Sequence, residues 1–174
     1  MKLDLFDLVS NAGKEIQKEV SVDLEAFATT MGEYPITDKS PVQLYVKNGQ
    51  GRKMTLKASS HISAIAPCDR CLTDVKVDID IDYEREFPIE NGTLVMDDMD
   101  EAEFIDGLIL DTDQLVYDEM LVNWPMKVLC KDDCKGICNK CGCNLNEREC
   151  ACDRTVVDPR MAAIQDVFNK FKEV

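Results

Sequence analysis

The sequence has little of what membrane proteins and most enzymes need. Its 174 residues include a single histidine, His61, which excludes a metal centre built from several histidines. No apolar run approaches the roughly 20 residues that cross a bilayer, and no glycine-rich phosphate loop, dinucleotide fingerprint or Gly-x-Ser-x-Gly elbow occurs. Asp4 and Asp7 interrupt the apolar stretch that a signal peptide requires. We therefore expect a cytoplasmic protein with no membrane contact and no small-molecule substrate.

Positive charge is also scarce. The chain has 20 Lys and Arg residues against 34 Asp and Glu residues, and its formal net charge is −14. A surface of that sign repels nucleic acid. The acidic excess lies within residues 1–125, whereas residues 126–174 are nearly balanced. A contact with a polyanion is therefore easier to place on the C-terminal segment.

Cysteine, by contrast, is abundant, with nine residues. Cytosolic thiols stay reduced, and an odd number leaves one over in any disulfide scheme, so we expect metal binding. The run Cys138-Asn139-Lys140-Cys141-Gly142 has the shape of a zinc knuckle, because two intervening residues let both sulfurs reach one ion. Cys150 and Cys152 can complete this site as a four-thiolate zinc centre.

The remaining cysteines permit a second tetrahedral site. Two structural zinc ions would then use eight cysteines in all: Cys68, Cys71, Cys130 and Cys134 in one site, and Cys138, Cys141, Cys150 and Cys152 in the other. A competing arrangement joins Cys130 and Cys134 to Cys138 and Cys141 and leaves the flanking pairs for another site. Four thiolates saturate zinc and leave no position for a reacting water, so we expect both sites to be structural.

Alternating apolar and polar residues predict an antiparallel sheet. The alternation runs from Val42 to Val46, from Met54 to Ala66 and from Val75 to Tyr83, and the last stretch carries acidic residues on its other face. Cys68-Asp69-Arg70-Cys71 lies between the last two stretches and is predicted to form the tip of a long hairpin. The segment from Thr29 to Pro41, which contains a glycine and two prolines, predicts a loop.

Two helices are expected. Asp111 is a predicted N-cap, and Pro125 ends a helix whose apolar stripe consists of Val116, Tyr117, Met120, Leu121 and Trp124. Asp118 and Glu119 lie off that stripe and are predicted to face solvent. Asp158 and Pro159 begin a C-terminal helix that carries Met161, Ile164, Phe168 and Phe171.

The predicted class is therefore α+β. It comprises a mainly antiparallel β-sheet or partial barrel with a mid-chain helix, a cysteine-rich zinc lobe and a C-terminal helix. We expect a β-rich domain with one helix over residues 1–125, and the zinc-binding lobe with the last helix over residues 126–174.

Three regions resemble the YceD-like proteins, which are named for large ribosomal RNA subunit accumulation. They are the turn Cys68-Asp69-Arg70-Cys71-Leu72 with its acidic strand, the block from Asp111 to Pro125, and the run from Cys130 to Asn146 followed by Cys150, Cys152 and Asp158-Pro159-Arg160. Together they span more than half of the chain. Cys143 stands where the family pattern requires no cysteine, which makes it the expected left-over thiol.

The resemblance implies a bacterial, cytoplasmic, non-enzymatic ribosome-biogenesis factor that supports accumulation or processing of large-subunit (23S) ribosomal RNA. Its implied partners are that RNA or its assembly intermediates, reached directly or through ribosomal proteins. An alternative is a zinc-stabilised protein-interaction adaptor whose acidic face binds basic partners. A thiol redox protein is a third hypothesis, but it needs the Cys68–Cys71 pair to open a helix, and the sequence places that pair between two strands.

Overall fold

The computed structural model describes residues 1–96, 102–152 and 164. The chain divides into two compact units: unit 1 comprises Met1–Cys68 and Thr73–Val128, and unit 2 comprises Asp69–Leu72 and Leu129–Val174. The predicted C-terminal helix lies outside the described residues apart from Ile164. No helix of the described part is both long and apolar enough to cross a membrane.

The helices and strands that the structure describes lie in unit 1. In chain order these are β1 (Lys2–Asp4), α1 (Phe6–Ser10), β2 (Glu15–Val20), β3 (Ala26–Thr29), β4 (Gly32–Lys39), β5 (Val42–Gly49), β6 (Lys53–Pro67), β7 (Asp74–Glu90), β8 (Thr93–Leu94), β9 (Ile105–Asp106), β10 (Ile109–Asp111) and α2 (Thr112–Asn123).

The long hairpin of β6 and β7 organises the main sheet. The two strands pair antiparallel from Lys53↔Pro88 to Pro67↔Asp74. On its other edge β6 pairs first with β5 and then with β4, and β2 and β3 extend the sheet from those two strands. The result is a mainly antiparallel half-barrel, accompanied by a small sheet of β1, β10 and β9. The predicted α+β class is confirmed.

Alternation along β7 separates a core face from a solvent face, as the sequence predicts. Val77, Ile79 and Ile81 are buried in the core, whereas the intervening Asp78 and Asp80 are exposed. Because each fully buried aliphatic side chain contributes roughly 1.5–3 kcal/mol, this periodicity fixes which face of the hairpin turns inward.

Helix α2 begins as predicted, but the residues that it buries differ from the predicted apolar stripe. The Asp111 carboxylate accepts hydrogen bonds from the amides of Asp113 at 3.1 Å and Gln114 at 3.4 Å. The buried helix residues are Thr112, Leu115, Val116 and Met120, whereas Leu121 is exposed. Asp118 and Glu119 are only partly exposed, so the expectation that they face solvent was wrong.

The predicted loop from Thr29 to Pro41 was also wrong, because most of it is strand β4. Residues Gly32 to Pro35 pair with β3, and the pairing passes to β6 from Ile36 onward. Pro35, which has no N–H to donate, stands where the strand changes partners. Proline is tolerated at such a position, although it signals a loop when the sequence is considered alone.

Candidate metal centres

The tip of the β6–β7 hairpin presents the first two cysteines. The Cys68 amide donates to the Thr73 carbonyl at 2.8 Å, and Leu72 takes a left-handed conformation with φ of 62°. This tight turn keeps both thiols inward, since Cys68 is fully buried and Cys71 is 6% exposed. It therefore joins two strands, as predicted, and opens no helix.

Four sulfurs form the first thiol group, Cys68, Cys71, Cys130 and Cys134, and all four lie within 4.8 Å of one another. The sulfurs of Cys71 and Cys130 are 3.5 Å apart. Tetrahedral zinc with bonds of about 2.3 Å spaces its sulfur ligands by about 3.8 Å. The first group could therefore hold a metal ion after small side-chain adjustments.

The second thiol group comprises Cys138, Cys141, Cys150 and Cys152, and its sulfurs also lie within 4.8 Å of one another. The knuckle is closed by two backbone hydrogen bonds, from the Gly142 amide to the Cys138 carbonyl at 2.8 Å and from the Cys138 amide to the Cys143 carbonyl at 2.9 Å. Gly142 has φ of 71°, a conformation that favours glycine. This group could also hold a metal ion.

Backbone amides stabilise negative charge on three of the sulfurs. The amides of Cys141 and Lys140 donate to Cys138 and lower the pKa of that thiol to about 6. The Cys143 amide lowers the pKa of Cys141 below its usual value. Burial raises the pKa of Cys134, but hydrogen bonds from the Gly136 amide and the Asn146 side chain outweigh burial and leave the pKa lowered. Amide donation to sulfur is typical of structural metal sites.

Crowding acts in the opposite direction on two other thiols. Proximity to Cys141, followed by burial, raises the pKa of Cys152 to about 12. Burial and the neighbouring Cys141 and Cys150 raise the pKa of Cys143 to about 11. Thiolates packed this closely repel one another, and a divalent cation is what would allow all four ligands of a group to ionise together.

Three further residues shape unit 2 without supplying a predicted ligand. Arg70 donates from Nη1 to the Cys134 carbonyl at 3.0 Å, and Gly136 approaches Arg70 so closely that a Cβ would lie 3.0 Å from the Arg70 carbonyl oxygen. Asn146 accepts from the Lys135 amide at 2.9 Å and donates to the Cys134 sulfur at 3.3 Å. Only their position inside the cysteine-rich motif signalled these residues in the sequence.

All nine cysteines lie in the described residues, and none of them forms a disulfide. The structure brings the eight predicted ligands together in the two predicted groups of four, while ligation of a metal stays a prediction. Cys143 belongs to neither group. His61, the one histidine of the chain, contacts a carboxylate, and its Nδ1 lies 2.7 Å from Oδ1 of Asp80.

Comparison with known proteins gives one family. The family model described as "Large ribosomal RNA subunit accumulation protein YceD" matches residues 56–168, which is more than half of the chain. An uncharacterized protein of Mycobacterium leprae (strain TN) is 28% identical over 83 residues, covering 47% of this chain and 38% of that protein. The matched part thus spans well under half of that relative. No solved structure matches.

Proposed function

Because the chain belongs to the YceD family of large ribosomal RNA subunit accumulation proteins, we propose that it is a non-enzymatic ribosome-biogenesis factor acting in the cytoplasm. Its role is to support accumulation or processing of the large-subunit ribosomal RNA. The observation that carries the proposal is the family match, which spans both the β6–β7 hairpin and the described cysteines of unit 2.

The two thiol groups hold one zinc ion each in this proposal. The ligands are Cys68, Cys71, Cys130 and Cys134 in the first site and Cys138, Cys141, Cys150 and Cys152 in the second. An all-thiolate donor set, two-residue spacings and amide donors to sulfur favour zinc over the oxygen-seeking cations. Four thiolates leave no open coordination position, so the role of the metal is structural.

Zinc is needed because the described segment from Cys130 to Cys152 has few apolar side chains to fold around. Within its described residues, Ile137 is 39% exposed and Leu145 is partly exposed. Burial of two such side chains cannot offset a backbone entropy cost of roughly 1–2 kcal/mol per ordered residue. Metal-binding free energy would therefore supply the folding free energy of this unit.

The basic residues of unit 2 are the RNA-contacting group in this proposal. Lys135, Lys140 and Arg148 are exposed. They lie within residues 126–174, where the numbers of acidic and basic residues are nearly equal. Each four-thiolate zinc adds a net charge of about −2 beside them. In this proposal, the RNA phosphates therefore contact only these basic side chains, because the acidic surface of unit 1 repels RNA.

Depletion of the protein tests the function. The proposal expects reduced large-subunit ribosomal RNA, with fewer free large subunits in sucrose gradients and an unchanged small-subunit RNA level. Restoration by the wild-type chain, but not by Cys138→Ser, would connect the defect to the zinc-bound unit. Normal RNA levels and gradients after depletion would contradict the proposal.

Filter binding at several salt concentrations tests direct RNA contact. Wild-type affinity should fall steeply with salt, and Lys135→Ala combined with Lys140→Ala should flatten that slope by roughly one unit for each phosphate that is no longer neutralised. Lys47→Ala with Lys53→Ala removes the same charge from unit 1, where both lysines pair with glutamates, and should leave the slope unchanged. Absence of any salt-dependent binding would favour contact through ribosomal proteins.

A further inference from the structure

Cys143 is the ninth cysteine, and it lies inside the second metal centre without belonging to its group of four. It is 7% exposed, and its side chain contacts those of Cys141 and Cys150. Its carbonyl accepts the Cys138 amide at 2.9 Å, so its backbone is part of the same knuckle. A fifth sulfur is therefore held against two of the four expected ligands.

We propose that Cys143 is an alternative ligand of the second site and replaces Cys152 on the metal. The proposal rests on the zinc sites proposed above. Cys141 and Cys150 remain bound in both arrangements. Cys143 contacts these two side chains, so its sulfur can occupy a neighbouring position of the metal's coordination tetrahedron. The second site then draws four ligands from five thiols.

Cys152 is the ligand that leaves, for reasons of burial and hydrogen bonding. Cys138 is 1% exposed and receives the amides of Lys140 and Cys141, so its loss would break the knuckle as well as a metal bond. Cys152 is partly exposed and lies outside the Cys138–Cys143 knuckle. Of the two remaining ligands, Cys138 and Cys152, the sulfur of Cys152 is therefore the more easily displaced.

The exchange conserves charge and protons. Cys143 gives up its thiol proton as its sulfur bonds to the metal, and the departing Cys152 thiolate takes up one proton from solvent. Four thiolates surround the ion before and after the exchange. The consequence is that unit 2 keeps its metal when Cys152 is lost to substitution or alkylation.

Zinc content and cobalt spectra of four chains test the proposal. Wild type, Cys143→Ser and Cys152→Ser should each contain two metals per chain, and cobalt-substituted Cys152→Ser should keep the charge-transfer and ligand-field bands of four-sulfur coordination. Cys143→Ser combined with Cys152→Ser should contain one. A Cys152→Ser chain that loses the second metal as completely as the double variant would overturn the proposal.

Two failures are distinguishable in this experiment. Fewer than two metals in the wild-type chain would refute the zinc sites themselves, and Cys143 would then have no metal to exchange on. Two metals in wild type with one in Cys152→Ser would refute only the exchange. Folding of unit 1 in every variant is checked by the fluorescence of Trp124, the one tryptophan of the chain.

Alkylation of the zinc-loaded wild-type chain provides a second measurement that needs no variant. Iodoacetamide followed by peptide mass spectrometry should label Cys143 in some molecules and Cys152 in others, with Cys138 protected and the zinc content unchanged after the first label. Labelling at Cys143 with Cys152 fully protected would show four fixed ligands and contradict the exchange.

Discussion

The amide of Ile137 donates to the carbonyl of Arg70 at 3.0 Å, joining the hairpin turn to the cysteine-rich segment. The Arg70 guanidinium donates in return to the Cys134 carbonyl. These two bonds connect the stretch that contains Cys71 to the stretch that contains Cys134. Two hydrogen bonds thus set the spacing between the stretches of Cys71 and Cys134 in the folded unit 2, and the metal that we propose would supply the free energy that keeps this unit folded.

Gly136→Ala tests this close approach. An added Cβ would meet the Arg70 carbonyl oxygen at 3.0 Å, and φ at this position is +76°. We expect the variant to lose zinc to a chelator at least tenfold faster than wild type. Gly142→Ala is the matched control, because its φ is +71° and no atom lies within 4 Å of its Cβ. Both variants incur the left-handed strain of about 1–2 kcal/mol, so equal rates would contradict the role given to the Arg70 contact.

Cys138→Ser tests whether metal folds unit 2. Limited proteolysis should cleave this variant near Lys135 or Lys140, while residues 1–125, which have their own core, stay protected. Cys143→Ser serves as the control and should resist cleavage as wild type does. A protected unit 2 in Cys138→Ser would show that packing holds it without the second metal.

Asn48→Ala should destabilise unit 1. The fully buried Asn48 side chain donates to the carbonyls of Leu8 and Val9 at 2.9 and 3.0 Å and accepts from the Gly51 amide at 2.7 Å. Leaving these buried groups unpaired should lower the free energy of unfolding by about 2–3 kcal/mol. Urea unfolding followed by tryptophan fluorescence measures the loss.

The exposed Gln17 gives the comparison for Asn48. It lies on β2, and Gln17→Ala should change the free energy of unfolding by less than about 0.5 kcal/mol. Similar losses for the two alanine variants would refute a structural role for the buried amide network of Asn48.

Asp118→Asn should stabilise the protein at neutral pH. Burial raises the pKa of Asp118 above its usual 3.8, the Gln114 hydrogen bond partly opposes this, and nearby Glu103 adds to it. A carboxyl whose pKa is higher in the folded state costs stability once pH rises through that range. We therefore expect the variant to have a higher free energy of unfolding than wild type at pH 7, and this difference should disappear below about pH 4, where the carboxyl is protonated in both the folded and the unfolded state.

A control variant separates the cost of ionising the partly buried Asp118 from the general effect of removing one negative charge. Asp106→Asn removes the same charge from an exposed position in β9 and should not reproduce the neutral-pH gain. A loss of stability at pH 7 in Asp118→Asn, measured by thermal unfolding, would contradict the assigned cost of ionising this side chain.

The sequence predicted the parts of the fold that follow from local periodicity or spacing. The β6–β7 hairpin has strict alternation on both sides of a short polar turn, and α2 has a capping aspartate and a terminating proline. The two-residue spacings of Cys68–Cys71 and Cys138–Cys141 indicated metal-ligand pairs, although they left two groupings of the pairs open until the structure brought the sulfurs together. Each of these signals lies within a few residues of the feature that it specifies.

Long-range features left no comparable signal. Strand β4 contains Pro35, whose tolerance depends on the change of partner strand from β3 to β6. The burial of Asp118 depends on what packs against α2 and cannot be inferred from helical periodicity. The contact of Gly136 with Arg70 joins residues far apart in the chain. Tertiary packing determines the structure at these positions, and the neighbouring residues in the sequence give no signal of that packing.

Metal content of the purified chain tests the central claim most directly. Native mass spectrometry and elemental analysis of protein that has never been exposed to a chelator should find two zinc ions per chain, one for each thiol group. One zinc ion or none would contradict the two-site account, and with it the proposal that metal folds unit 2.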